Sequence, residues 1–149
     1  MSGTRITITK MIGAPSQKVW AELSDIESHV KWMADAVALE FHSEQRSGIG
    51  TSFACRTKIG PFYTTDEMVI DQWREGTAVG VTHSGAVTGS GTFELKEIST
   101  SETLVTWSEV LVFPWWMAGK IGSTVARPIF GWIWKRNLSR LSDRVLQHI

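Results

Sequence analysis

The chain has 149 residues, a hydrophobic fraction of 42%, a charged fraction of 20% and a formal net charge of zero. These values are typical of a globular protein that buries a substantial core, and they exclude a disordered or fibrous chain. Because there is no excess of positive charge, nucleic acid is not an expected partner.

The first predicted elements are a strand and two short helices. Hydrophobicity alternates from Thr4 to Ile12, with isoleucine at positions 6, 8 and 12, which predicts a half-buried strand. Proline and serine at positions 15 and 16 favour a helix start. Apolar residues at helical spacing then follow at positions 19, 20, 23 and 26. We expect Asp25 to cap a second short helix that runs to about Ala34.

From Val37 to Phe113, short alternating segments are separated by turn residues, and this pattern predicts six further strands. The predicted strands cover residues 37–41, 51–59, 62–73, 77–83, 87–98 and 103–113. Short connections between consecutive strands indicate antiparallel pairing of neighbours.

After Pro114 the apolar period changes to 3.6, which predicts a long C-terminal helix. One apolar stripe contains Phe130, Trp134, Leu138, Leu141 and Val145. Pro128 is expected to kink or restart this helix, and nearby glycines should loosen its first half. Since no linker or repeat interrupts the chain, the sequence predicts a single α+β domain over residues 1–149, with one sheet packed on one helix.

This order of elements and several local sequences resemble the START-related helix-grip superfamily (SRPBCC), especially its bacterial polyketide cyclase/dehydrase and lipid transport branch. The matching segments are residues 6–15 with Val19 and Trp20, residues 23–27 with Trp32, and the runs 89–95, 103–107 and 137–141. The resemblance implies a curved seven-stranded antiparallel sheet around the last helix, with a ligand cavity between them. Relatives bind, transport, cyclise or hydrolyse different apolar molecules, so membership alone specifies no activity.

Inward strand residues and the front half of the last helix are expected to line this cavity. Alternation assigns seven residues to the inner face: Phe53, Cys55, Met68, Val81, His83, Trp107 and Glu109. Trp32 and Met33 are expected to close one end, and the mouth should be covered by Trp115, Trp116, Met117, Ile121 and Val125. Alternatively these side chains, with the rest of the eight tryptophans, simply fill a dry core. A shift of one residue would invert the assignment of a whole strand.

Glu109 and His83 are the candidate catalytic residues. Glu109 shares a strand face with Val105, Trp107 and Leu111, which should desolvate its carboxylate and raise its pKa, as suits a general acid or base. His83 could face Glu109 across the sheet and act as a base or bind a ligand oxygen. The alternatives are a strand-end glutamate, solvated or paired with a cation, and a solvated turn histidine.

Other classes of site are not predicted. No histidines or carboxylates have metal-ligand spacing, and no glycine-rich loop leads into a helix, so neither a metal nor a cofactor is expected. The single cysteine, Cys55, excludes an internal disulfide and is predicted to be buried and inert. His29, His42 and His148 are expected at the surface.

The N-terminus has no signal-peptide core, and Lys120 and Arg127 interrupt the longest apolar stretch, residues 110–134. The protein is therefore expected to be cytoplasmic, without stable membrane insertion. Three hypotheses for its function stay open. It is a carrier for a small apolar, lipid-like or polycyclic ligand, a cyclase or dehydratase using Glu109 and His83, or an interaction module presenting Trp115–Met117. The oligomeric state is also open, a homodimer included.

Overall fold

The computed structural model describes residues 3–85, 87–113 and 119–148, without the side chains of Ile59 and residues 119–123. The chain begins with β1 (Thr4–Ile12), α1 (Ser16–Leu23) and a 3-10 helix (Ile26–Lys31). Six strands follow: β2 (Ala36–Phe41), β3 (Ser52–Ile59), β4 (Phe62–Arg74), β5 (Ala78–Ser84), β6 (Thr88–Ser99) and β7 (Glu102–Val112). The last element is α2 (Gly119–Gln147).

The seven strands form one antiparallel sheet in the order β1-β7-β6-β5-β4-β3-β2. Every strand begins and ends within one residue of its predicted bounds, because turn residues separate the alternating segments clearly. The predicted fold, an α+β helix-grip architecture with a long C-terminal helix, is confirmed. In the described part of the chain, no helix is long and apolar enough to cross a membrane.

The second half of α2 packs into the core as its apolar stripe predicts. Trp134, Leu138, Leu141 and Val145 are buried, while Phe130 is half-buried against the same cluster. On the facing side, the isoleucines of β1 are buried as well, and α2 contacts both β1 and α1. Burial of these aliphatic side chains holds the helix against the sheet.

Pro128 lies inside α2, and the helix runs through it from Gly119 to Gln147. The predicted alternative of a helix restart at this residue is therefore wrong. Pro128 is exposed, so water can compensate for the backbone hydrogen bond that proline cannot donate.

The second short helix also differs from its prediction. It is a 3-10 helix that ends at Lys31, and the Asp25 side chain makes no capping hydrogen bond. Instead, Ser28 Oγ donates to the Asp25 carbonyl at 2.7 Å. A serine hydroxyl that bonds the backbone three residues earlier offers the chain an alternative to a regular α-helix.

His29 is buried, so its predicted surface position is wrong. Its Nε2 atom lies 2.7 Å from the Leu23 carbonyl oxygen, and its ring contacts Trp32 and Phe93. Burial lowers the pKa of His29 to about 4, although the Leu23 carbonyl and nearby acidic residues act in the opposite direction. A neutral imidazole with one hydrogen-bonded nitrogen is compatible with a buried position.

Asn137 connects α2 to the segment after the 3-10 helix. Its side chain is fully buried, donates to Asp35 Oδ1 at 2.7 Å and accepts from the Ala34 amide at 3.0 Å. These two hydrogen bonds tie α2 to the segment that directly follows Trp32 and Met33.

Candidate functional site

All seven residues predicted for the inner face of the sheet project from one face. In the strand register, Met68 is opposite both Phe53 and His83, and Gly91 is opposite both Val81 and Glu109. Directly opposed residues share a face, as do residues two apart along a strand. The face therefore contains Phe53, Cys55, Met68, Val81, His83, Trp107 and Glu109.

This face is turned toward α2. The ring of Trp107 stacks on Trp134 of the helix, with centroids 4.9 Å apart. Phe53, Cys55, His83 and Trp107 are buried, whereas Met68, Val81 and Glu109 remain half-buried. The face thus has a densely packed end around Trp107 and a less covered region around Met68 and Val81.

His83 and Glu109 meet beside this less covered region. The distance from His83 Nε2 to Glu109 Oε2 is 3.2 Å, and their side chains are only 8% and 12% exposed. The second carboxylate oxygen of Glu109 accepts a hydrogen bond from Trp107 Nε1 at 3.0 Å. His83 Nδ1 lies 3.3 Å from the Val87 carbonyl oxygen. The predicted approach of His83 to Glu109 across the sheet is confirmed.

The absence of a side chain at Gly91 makes this contact possible. His83 lies on β5 and Glu109 on β7, so the carboxylate must cross the intervening strand β6. A Cβ atom at Gly91 would collide with the Glu109 carboxylate. The sequence analysis missed this role, although an isolated glycine within a strand often marks such a close approach.

The pKa of His83 is raised above its ordinary value of 6.5. Burial is the largest single influence and lowers the pKa. The hydrogen bond and negative charge of Glu109, with smaller effects of the Val87 carbonyl and Asp66, outweigh it. The imidazolium form is therefore favoured, and both ring nitrogens then donate, to Glu109 and to Val87.

We expect the pKa of His83, measured from its ring resonances in an NMR titration, to lie above 6.5 in the wild type. In Glu109→Gln it should fall below 6.5, because burial then becomes the dominant influence. Equal His83 pKa values in the two proteins would contradict the assigned contact.

The raised pKa also makes stability depend on pH. A histidine whose pKa is higher in the folded than in the unfolded chain stabilises the fold when it is protonated. This stabilisation is complete at pH values below the unfolded pKa of 6.5. This stabilisation is lost as the pH rises through the folded pKa.

Trp32 and Met33, predicted to close one end of the cavity, both pack against the core. The Trp32 ring is fully buried and packs edge-on against Phe93 and Trp107, at centroid distances of 5.9 and 6.3 Å. Trp32 Nε1 has no hydrogen-bond partner within the described ranges. Met33 is half-buried against the same core. An unpaired donor in such a place is uncommon, since most buried polar atoms find an acceptor.

Of the residues predicted at the mouth, Val125 alone has a described side chain. Trp115, Trp116 and Met117 lie outside the described residues, as does the side chain of Ile121. Val125 is 56% exposed and lies on the side of α2 opposite Trp134.

Cys55 on β3 lies opposite Asp66 on β4. This pair is on the same face as Phe53 and Met68, two residues away on each strand. Cys55 is buried as predicted, and burial raises the pKa of its thiol to about 11. Asp66 was not singled out from the sequence, although its alternation with Met68 places it on the inner face. Among the described residues, no group of three His, Cys, Asp or Glu side chains is arranged to hold a metal ion.

Comparison with known proteins matches the chain to one family. The family model described as polyketide cyclase/dehydrase and lipid transport matches residues 3–146. No curated protein matches the chain significantly.

Solved structures share the fold at low sequence identity. A START superfamily protein from Mycobacterium smegmatis is 14% identical, with a TM-score of 0.78 over 99% of this chain and 100% of that chain. The Zhui aromatase/cyclase from Streptomyces sp. R1128 is 17% identical, with a TM-score of 0.72 over 97% and 92% of the two chains. A conserved protein from Geobacillus kaustophilus is 14% identical, with a TM-score of 0.76 over 96% and 95%. At these identities the similarity concerns the fold alone.

Proposed function

The chain belongs to the polyketide cyclase/dehydrase and lipid transport family, and from this premise we propose that it binds a small apolar ligand between the sheet and α2. The ligand is lipid-like or polycyclic, and the His83–Glu109 pair is its polar anchor. The observation that carries the proposal is the position of this pair, buried on the inner face of the sheet beside the apolar, half-buried Met68 and Val81.

A buried ion pair is poorly explained by stability alone. Removing two charges from water is expensive, and apolar side chains of similar size often stabilise a core equally well or better. Ionisable groups with perturbed pKa values are instead concentrated at binding and catalytic sites. The pair on β5 and β7 therefore supports a functional role for this region.

Trp32 Nε1, which has no hydrogen-bond partner in the described part of the chain, supports the proposal independently. A fully buried indole N–H without an acceptor destabilises the fold by about 1–3 kcal/mol. A ligand carbonyl or hydroxyl oxygen would satisfy this donor. An apolar molecule with one or two oxygen atoms matches a site of apolar walls and few polar groups.

One specific observation favours an enzyme as the second candidate function. His83 has a raised pKa and contacts Glu109, so its imidazolium form persists to higher pH than in a free histidine and is a candidate general acid. A cyclase or dehydratase would use His83 to protonate a ligand oxygen and Glu109 to hold or accept a proton. The carrier requires neither transfer, so the two candidates differ in the role of the Glu109 charge.

Native mass spectrometry of the purified protein, followed by solvent extraction, tests the carrier directly. We expect a discrete apolar compound to accompany the wild type. Val81→Phe should abolish its binding by filling the inner face, whereas Val69→Phe, on the exposed face of β4, should retain it. The proposal would be contradicted if the wild-type protein carried no ligand in any preparation and also failed to bind an apolar dye such as anilinonaphthalene sulfonate.

Glu109→Gln separates the carrier from the enzyme once the compound is identified. Its affinity should stay within about tenfold of wild type, because the amide still forms hydrogen bonds. If the protein converts the compound, turnover should fall by about a hundredfold or more with little change in binding. Unchanged turnover in this variant would reject the acid–base role.

A further inference from the structure

Positive charge is concentrated on two neighbouring elements, although the whole chain is neutral. β1 and α2 together contain eight of the fifteen lysines and arginines but only one of the fifteen acidic residues, Asp143. The two elements pack against each other. These two elements therefore carry a net positive charge, and the rest of the chain carries a net negative charge.

Apolar side chains are exposed on the same side. Val125, Ile129 and Trp132 are 56%, 46% and 60% exposed, and their spacing places them in one row along α2, opposite the buried Trp134. Basic residues continue this row toward the C-terminus. We call the combined surface the outer stripe, which consists of Val125, Ile129, Trp132, Lys135, Arg136 and Arg140.

A groove of about 530 Å³ borders the outer stripe where α2 meets β1. Arg5, Arg127 and Lys135 contribute to its lining, together with Trp132. Within the described ranges, none of these three cations pairs with a carboxylate, and the Arg136 guanidinium lies 4.9 Å from the centre of the Trp132 ring. The cations are thus available to an anionic partner.

We propose that the outer stripe binds the surface of an anionic lipid bilayer. Tryptophan and aliphatic side chains beside lysine and arginine on one helix face suit the boundary between headgroups and acyl chains. Each cation near such a surface adds attraction, which salt screens. A second copy of this chain is a less suitable partner, because two outer stripes packed together would place like charges against each other. The bilayer contact is peripheral and does not depend on the ligand proposed above.

Sedimentation with vesicles tests this surface. The full chain should bind vesicles of equal parts phosphatidylserine and phosphatidylcholine, and bind phosphatidylcholine vesicles at least about tenfold more weakly. Lys135→Gln with Arg136→Gln should lower binding to the anionic vesicles by about 25-fold, since each cation contributes roughly a factor of five. Trp132→Ser should lower it by about tenfold.

Matched changes on another surface control for folding and general charge. Phe62 is 73% exposed at the β3–β4 turn, and Lys96 is exposed on β6. Phe62→Ser with Lys96→Gln should bind the anionic vesicles like the wild type, and every variant should retain the wild-type circular dichroism spectrum. Equal binding to both vesicle types would overturn the proposal. Self-association through the outer stripe without vesicle binding would also overturn it, in favour of a protein partner.

Discussion

Replacing His83 by leucine is expected to lower the free energy of unfolding at pH 6 by about 3 kcal/mol. The change leaves Glu109, whose side chain is 12% exposed, without its cationic partner. An unpaired carboxylate in this position must either stay charged at a desolvation cost or take up a proton. Urea denaturation of the two proteins measures the difference.

The double variant His83→Leu with Glu109→Leu is the matched control. Removing both charges leaves no unpaired ion, so its stability should return to within about 1.5 kcal/mol of the wild type. The coupling free energy of the mutant cycle then measures the interaction itself. If the single and the double variant lose the same free energy, the two side chains do not act as a pair.

Truncation of Trp32 to alanine should lower the free energy of unfolding by about 4 kcal/mol. The Trp32 side chain is fully buried between Phe93, Trp107 and His29, and its loss leaves a cavity that these rings cannot fill. Thermal and urea denaturation both measure the loss.

Trp132→Ala provides the comparison for that prediction. This tryptophan is 60% exposed, so its truncation should change the stability by no more than about 0.5 kcal/mol. Similar losses in the two variants would show that the ring contacts of Trp32 contribute little.

The strands could be predicted because each carries its own local signal. Alternation placed Ile6 and Ile8 in the core, and the turn residues set the strand ends. The same parity identified the face shared by His83 and Glu109. Their contact across the sheet was predicted only as one alternative, and the sequence analysis missed Gly91, which lies between Val81 and Glu109 in the strand register.

Features that depend on distant partners could not be predicted. His29 is polar and follows Ser28, so local pattern places it in solvent, whereas the Leu23 carbonyl and the Trp32 ring bury it. Asn137 lies in α2, and the apolar pattern of this helix does not indicate that Asn137 binds the Ala34 amide. For the same reason the end of the 3-10 helix was predicted too late in the chain. A side chain's partner across the fold is a tertiary property, which local periodicity does not encode.

The position of β1 in the sheet has a consequence for how the protein forms. Among the described strands, β1 pairs only with β7, and Thr7 meets Ser108 across 101 positions of the chain. During synthesis from the N-terminus, the hydrogen-bonding edge of β1 therefore remains without its partner until nearly three quarters of the chain has emerged. Joining such distant segments slows folding, and until they join, the unpaired and aggregation-prone strand stays exposed. The closing of β1 onto β7 is thus the step at which a nascent chain is most vulnerable to aggregation.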